Sequence, residues 1–384
     1  EGKGLVVDAL AAPAGGAATV ARFNGGAQAG HTVTTPDGRR HVFHHVCAGA
    51  FAGAPTFLTR FFIVNPILFH GELDDLSALG VTPVVSVDPR APVTLPFDMM
   101  INQIAERARG DTRHGSCGLG IGETIERGLR PEFAVTVADL GDAAKLRPVL
   151  ARVRAGWAFD RLRALGVRDL TEADRALLAD ETIDARWIED AERFVAATTW
   201  SLAPPPGSAL IFEGAQGLKL DQTRGDFPYV TRSNTGCRNV IELAREWDIE
   251  ALELIYVSRV YRTRHGAGPL AREYPTPPLR GLTHETNIPN AWQGALRYAP
   301  LDLDELAADV AADLLDVEGF PGELRTALAT TCLDQVGETV EVVEEGEVRE
   351  MPAEAIVQAM AERMRAGRVW ASWGPTRQTL QEGA

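Results

Sequence analysis

Arg22-Phe23-Asn24-Gly25-Gly26-Ala27-Gln28-Ala29-Gly30-His31-Thr32-Val33 is the stretch on which the reading of this chain turns. Three glycines and two alanines fall within the six residues 25–30, so the backbone can approach a ligand closely, and His31 follows the last glycine. Ordering so many small residues costs backbone entropy, which a plain surface turn has no reason to bear. The short apolar run Thr19–Phe23 just before it predicts a strand that ends where the loop begins. Upstream, Glu1-Gly2-Lys3-Gly4 is the tail of a glycine-rich turn, and Leu5–Ala11 predicts a helix after it. Open N–H groups at a helix start attract anions, and Lys3 is placed to meet a phosphate.

Outward from this loop, short apolar runs alternate with helical patterns. His41–Val46, Arg60–Val64, Thr82–Val87, Ala209–Phe212 and Leu252–Val257 read as strands, and Gly71–Leu79 as a helix. This alternation predicts an α/β fold. From about 140 to 200 the chain is rich in Ala, Arg, Leu, Glu and Asp at helical spacing, which predicts a helical lobe ended by Pro204-Pro205-Pro206-Gly207. No internal repeat is present, so one elaborate domain over 1–384 is expected. The mixed Val and Glu of 340–350 suit a solvent-facing hairpin around Glu345-Gly346.

Composition narrows the function. The net charge is -15, a poor match for nucleic-acid phosphates, although a local nest of N–H groups suffices for a mononucleotide. Cys47, Cys117, Cys237 and Cys332 form no CxxC pair, which argues against zinc and for reduced thiols in a cytoplasmic protein. No apolar run reaches the ~18 residues of a membrane span.

Further glycine-rich and polar motifs follow in order. Gly115-Ser116-Cys117-Gly118-Leu119-Gly120-Ile121-Gly122 is a second loop able to hold a phosphate. Phe212-Glu213-Gly214-Ala215-Gln216-Gly217 leaves a strand and turns on two glycines; an amide such as Gln216, donor and acceptor at once, can read a purine edge. Pro228-Tyr229-Val230-Thr231-Arg232-Ser233-Asn234-Thr235, Tyr261-Arg262-Thr263-Arg264-His265-Gly266-Ala267-Gly268-Pro269, Thr331-Cys332-Leu333-Asp334 and Ser372-Trp373-Gly374-Pro375-Thr376-Arg377 complete the series.

Together these motifs resemble the adenylosuccinate synthetase family, whose patterns read GDEGKG, GGxxAGHT, GTTGRGIGP, FEGAQG, PYVTSSNT, YxTRVGxGP, TKLD and SxGPxR in that order. The resemblance implies a P-loop-NTPase-like GTP-binding fold with a large, mainly parallel central sheet. It implies a homodimeric, GTP-hydrolysing ligase that joins IMP to aspartate with Mg²⁺ as cofactor. It places Glu1, Gly2, Lys3, Gly4, Asp334, Ser372, Gly374 and Pro375 on GTP, with the Asp334 carboxylate reading the guanine N1–H and 2-amino groups. It places Ala29, Ser116, Cys117, Gln216 and Thr231 on IMP, with Arg127 or Arg130 reaching the 5′-phosphate across a dimer interface. Gly30 would help hold Mg²⁺. His31 would donate to the 6-oxygen as it is phosphorylated, with Gln216 orienting the reacting groups. Arg264 and Arg297 would face the amino acid.

The pattern is broken in several places. Cys332 replaces a lysine, and His265 replaces a valine; as a lone histidine, His265 reads as structural. The family Asp ahead of Glu1 is missing, which suggests an earlier natural start and a nearly inactive chain without it. The aspartate-gripping cluster TTGRRRR has become Thr283-His284-Glu285-Thr286-Asn287-Ile288-Pro289-Asn290-Ala291-Trp292-Gln293-Gly294-Ala295-Leu296-Arg297, where Arg297 alone remains to clamp a carboxylate. Two alternatives therefore stand beside the parent reaction. One is a relative acting on a guanine nucleotide, as phage enzymes making 2-aminoadenylosuccinate do, or using another amine donor. The other is an inactive nucleotide-binding paralogue.

Overall fold

The structure, a computed structural model, describes residues 2–205, 209–276, 279 and 292–383. Five parallel strands form one sheet, in the spatial order Thr199–Trp200, Val85–Val87, Thr56–Leu58, Ala18–Arg22, Ala209–Glu213. Ala18–Arg22 is buried along its whole length, as an inner parallel strand covered on both faces must be. Its register sets Arg22 opposite Glu213, so the two glycine loops that follow these strands leave the sheet side by side.

A second sheet carries the parallel strands Ala251–Ser258, Glu323–Thr330 and Arg368–Ser372, with Leu380–Gly383 antiparallel at its edge. The expected parallel pairing thus dominates, but it is divided between two sheets of five and four strands. A third, mixed sheet joins Tyr261–Arg264, Arg297–Asp302, Thr339–Glu344 and Glu347–Pro352. Its last two strands are the acidic hairpin expected from the sequence, turning on Glu345 and Gly346 with both φ angles positive.

The first helix, Lys3–Ala11, starts after Gly2, whose φ of +79° is in the left-handed region. It buries Leu5, Val6, Val7 and Ala11. The helical lobe consists of Ala143–Arg152, Ala158–Ala164, Glu172–Ala179 and Thr182–Ala197. Trp187, Ile188 and Phe194 of the lobe join the same apolar core as the five-stranded sheet, with Phe194 edge-on to Phe69 at 4.8 Å.

Three sequence expectations shift. Arg60–Val64 does not form a full strand: Phe62 N–H donates back to Thr59 O in a turn, and pairing is limited to single parallel bridges from Ile63 to Gly26 and from Val64 to Val93. The strand expected over His41–Val46 spans Arg40–Phe43, because the next three N–H groups donate to the Glu72 carboxylate instead of a neighbouring strand. The helix expected from Gly71 begins at Pro66, where Asn65 caps the Leu68 N–H and proline suits the first turn.

Candidate active site

Several of the quoted motifs meet where the parallel strands end, the edge at which open α/β sheets bind ligands. Asn24 ties two of them together. Its side-chain amide donates to Ala215 O at 2.9 Å and accepts from Ala215 N–H at 2.8 Å, so one buried residue satisfies both backbone groups of the opposite turn. Gly25 N–H donates to Ser233 Oγ at 3.1 Å, which adds the Thr231–Thr235 segment. Asn239 Nδ2 donates to Phe23 O at 3.0 Å and accepts from Asn234, closing the ring of contacts.

His31 opens a short strand paired with Arg40–Phe43 and is nearly buried. Its Nδ1 makes a very short contact with Glu213 Oε1, and Glu213 Oε2 accepts the Ala48 N–H at 3.0 Å. Burial pulls the His31 imidazole below its usual range, against the opposing pull of Glu213 and with the help of Arg22. Burial alone would raise Glu213, but His31, Arg22 and the Ala48 N–H together hold it below the usual carboxylate range. The pair is therefore a neutral imidazole donating from Nδ1 to an ionised carboxylate, which leaves Nε2 for a ligand. Lys3 lies near enough to disfavour a positive charge on the ring.

Gln216 sits at φ +62°, a strained value for a residue with a side chain. A Cβ on Gly25 would stand 3.0 Å from Gln216 Oε1 and 3.3 Å from Gln28 Nε2, so the glycine makes room for two amides. Gln216 Oε1 and both polar atoms of the Gln28 amide are buried without a hydrogen-bond partner. Buried polar groups are almost always paired, so three unpaired amide atoms enclosed between two glycine loops mark a polar centre with both donor and acceptor capacity unused.

The first loop and the late motifs also meet. A Cβ on Gly2 would clash with Thr331 at 2.5 Å, and one on Gly4 would stand 2.7 Å from Thr32 O. Arg377 reaches Asp8 of the first helix at 3.0 Å. Gly2, Lys3 and Gly4 thus lie between His31 and the Thr331–Asp334 turn, while Glu1 lies outside the described residues. Asp334 is exposed and makes no hydrogen bond among the described residues. Ser372 spends its hydroxyl inside its own loop, on Gly374 O at 2.9 Å and Thr379 Oγ1 at 3.2 Å.

Other predicted residues are placed differently. Arg127 is buried beneath the second glycine loop instead of facing out of it: it is 1% exposed and binds Asp98 through Nε and Nη2, Val93 O through Nη2 and Phe133 O through Nη1. It is a structural ion pair, and the expected phosphate contact has no support from its geometry. Arg130, three residues on, is exposed. The Gly115 and Ser116 N–H groups expected to cradle a phosphate donate instead to the buried Glu106 carboxylate, at 2.7 and 3.2 Å. Ser116 Oγ exchanges hydrogen bonds with Asn102. Burial pushes the Cys117 thiol up to about 11, so it is neutral at pH 7. Thr231 N–H donates to Leu220 O at 2.9 Å, and its segment is held beside Gly25 through Ser233. Ala29 is buried at the end of the glycine run and Gly30 is exposed next to it.

Both expected amino-acid clamps are occupied. Arg297 binds Glu273 through Nε at 2.9 Å and Nη2 at 2.5 Å, and donates from Nη1 to Gly266 O and Gly268 O. Arg264, itself buried, donates to Ala267 O and Tyr229 O. Residues 283–291 of the altered loop lie outside the described residues.

Sequence reasoning passed over Glu213, Gln28, Asn24, Ser233 and Glu106. The first four sit inside quoted motifs, but only the pairing of distant strands reveals their partners.

An α/β protein with glycine-rich loops at the ends of parallel strands is the class these features define. The chain belongs to the adenylosuccinate synthetase family: the family profile, described as adenylosuccinate synthetase, matches residues 1–287. Adenylosuccinate synthetase of Neisseria gonorrhoeae is 32% identical over 281 residues, covering 71% of this chain and 62% of the relative. That of Anaeromyxobacter dehalogenans is 34% identical over 290 residues, covering 72% of this chain and 62% of the relative. The chain thus spans less than two thirds of the length of these curated relatives. The fold likeness runs further than the profile. A fully ligated adenylosuccinate synthetase from Plasmodium falciparum superposes with a TM-score of 0.68 at 16% identity, covering 100% of this chain and 97% of that one. The cyanophage S-2L succinoaminodeoxyadenylate synthetase, solved with dGMP and with dATP as energy donor, gives a TM-score of 0.56 at 17% identity, covering 99% and 91%. No helix among the described residues is long and apolar enough to cross a membrane.

Proposed function

We propose that the protein is a GTP-dependent carbon–nitrogen ligase of purine nucleotide biosynthesis, forming adenylosuccinate from IMP and L-aspartate. The γ-phosphoryl group of GTP passes to the purine 6-oxygen as the N1 proton leaves and GDP is released. The amine nitrogen then bonds to C6, and inorganic phosphate departs with the former 6-oxygen. The observation that carries this reading is the set of orphaned amides of Gln28 and Gln216 beside the His31–Glu213 pair. A purine edge offers the donors and acceptors those amides lack. His31, held by Glu213, presents Nε2 to the 6-oxygen side; once Nε2 takes up a proton, which the Glu213 carboxylate favours, it donates to the 6-oxygen and stabilises the charge that develops there. Gly2 and Lys3 take the nucleotide phosphates at the helix start, and Asp334 takes the guanine edge. Thr231 faces the mononucleotide phosphate, and Arg130 is the exposed arginine available to a second copy in a homodimer.

Mg²⁺, when bound, neutralises the transferring phosphoryl group. The described residues contain no cluster of three His, Cys, Asp or Glu side chains able to cage a metal. Gly30 would be the backbone position that helps hold an ion carried in on the nucleotide phosphates.

A second reading keeps the chemistry and changes the amine donor. Arg297 and Arg264 are already bonded to Glu273 and to four backbone carbonyls, so a dicarboxylate would have to displace those partners.

The test is phosphate release from GTP with Mg²⁺ and IMP, with and without aspartate, on the chain as it stands and with Gly-Asp added ahead of Glu1. Aspartate-dependent release with a product of adenylosuccinate mass supports the first reading. Release that depends on another amine supports the second, and release with dGMP but not with IMP refutes IMP as the purine substrate. Nucleotide binding without any turnover under these conditions refutes both and leaves a nucleotide-binding paralogue.

A further inference from the structure

The segment from Ser372 to Thr379 is braced by its own hydrogen bonds. Ser372 Oγ donates to Gly374 O, Trp373 N–H to Thr379 O at 3.3 Å, Thr379 N–H to Thr376 O at 2.9 Å and Thr379 Oγ1 to Thr376 O at 2.6 Å. Arg377 pins it to Asp8 of the first helix. A loop held this firmly fixes where its side chains project. Trp373 nevertheless leaves its indole 43% exposed, with no ring, cation or hydrogen-bond contact among the described residues.

A single exposed tryptophan needs no explanation by itself. The position of this one does. Thr330 pairs with Ala371, so the Glu323–Thr330 and Arg368–Ser372 strands end side by side. Cys332 and Trp373 each stand two residues beyond that last pair. The Leu333–Gln335 turn, which carries Asp334, packs against the Arg368–Ser372 strand. Gly2 meets Thr331 at the same rim. An exposed indole and an exposed carboxylate therefore share the end of the sheet where the Lys3–Ala11 helix begins.

We propose that Trp373 is the platform on which the purine ring of the nucleotide stacks while Asp334 reads the edge of that ring. The proposal rests on the nucleotide-site reading above and adds a specificity split to it. A purine has two apolar π-faces and a polar rim, so the face supplies affinity for any base and the rim supplies identity. The braced loop presents the indole without further ordering cost on binding.

The test is calorimetric titration of the intact chain with GDP and with IDP in Mg²⁺, which needs no turnover. Trp373→Ala weakens both nucleotides equally, by about 10-fold or more, as loss of one stacking partner does. Trp373→Phe stays within about threefold of wild type because a ring remains. Asp334→Asn narrows the preference for GDP over IDP, which Trp373→Ala leaves unchanged. GDP also quenches part of the fluorescence of the seven tryptophans, and that quench is lost in Trp373→Phe. Wild-type affinity for GDP in Trp373→Ala, or an undiminished quench in Trp373→Phe, overturns this proposal and leaves the nucleotide site standing. Failure of the wild-type chain to bind GDP removes both.

Discussion

Replacing Asn24 by alanine isolates the contact that holds the two glycine loops together. Asn24 is fully buried and makes two reciprocal hydrogen bonds with the backbone of Ala215. Each such bond contributes roughly 0.5–1.5 kcal/mol, and the substitution also strands a buried N–H and a buried C=O. The expected cost is about 2–4 kcal/mol. With an unfolding entropy of about 2.1 cal/mol/K per residue, a chain of this length loses about 3–5 °C in thermal midpoint. Asn24→Asp is the sharper probe. Its carboxylate accepts the Ala215 N–H but faces the Ala215 carbonyl, so ionisation is disfavoured and the folded-state pKa is raised. The proton that lets it donate to the carbonyl is bound below that raised pKa. Relative to Asn24→Ala, the aspartate variant is therefore stabilised at acid pH and loses that advantage as pH rises through the folded value. Scanning calorimetry of the three proteins at pH 5 and pH 8 reads this directly. A midpoint for Asn24→Ala within 1 °C of wild type, or no pH-dependent difference between the two variants, would refute the reasoning.

Asp98→Asn leaves Arg127 buried against a neutral partner and lowers stability by about 3–5 kcal/mol by thermal melt, with the KM for the mononucleotide unchanged because this ion pair is not a ligand contact. Glu72 accepts three backbone N–H groups and faces His41 and His45; burial alone would raise it, but these partners hold it far below the usual carboxylate range. Its contribution is complete at neutral pH and is lost as pH falls below the usual carboxylate range, so Glu72→Gln flattens the acid limb of a stability–pH curve. Gly4→Ala drives a methyl group against Thr32 O, shifts the helix start away from His31, costs about 1–3 kcal/mol in a melt and cuts phosphate release. Glu213→Gln must keep an acceptor on the Ala48 N–H, which turns its NH₂ toward His31 Nδ1 and reverses the imidazole tautomer; ¹⁵N spectra of the ring show the exchange, and phosphate release falls.

Much of the architecture was legible because local chemistry and tertiary packing agree. The buried run at Thr19–Phe23, the hairpin turn at Glu345-Gly346 and the periodic lobe after 140 each carry their own signal. Arg60–Val64 misled because a short apolar run says that a segment is buried, not how far its pairing extends, and Ile63 and Val64 make only single bridges; Pro66 sets the next helix start earlier than periodicity suggests. The glycine loops were visible as motifs, yet their partners were not. Nothing near Glu213 in sequence signals that it meets His31, and nothing near Arg127 signals Asp98. The ion pair of Arg297 with Glu273 likewise joins residues 24 positions apart that no local pattern connects.

The pairing of Ala18–Arg22 with Ala209–Glu213 also sets a clock. Asn24 and Ala215 are 191 positions apart. At ribosomal speeds of about 5–20 residues per second, one side of the first strand waits roughly 10–40 s for its neighbour to be made. Through that interval its open edge is a template for other chains, and the site between the two loops does not yet exist. The helical lobe is synthesised during the wait and packs on the Pro66–Ala78 helix, so it is positioned to shelter the half-built sheet before the last parallel strand arrives.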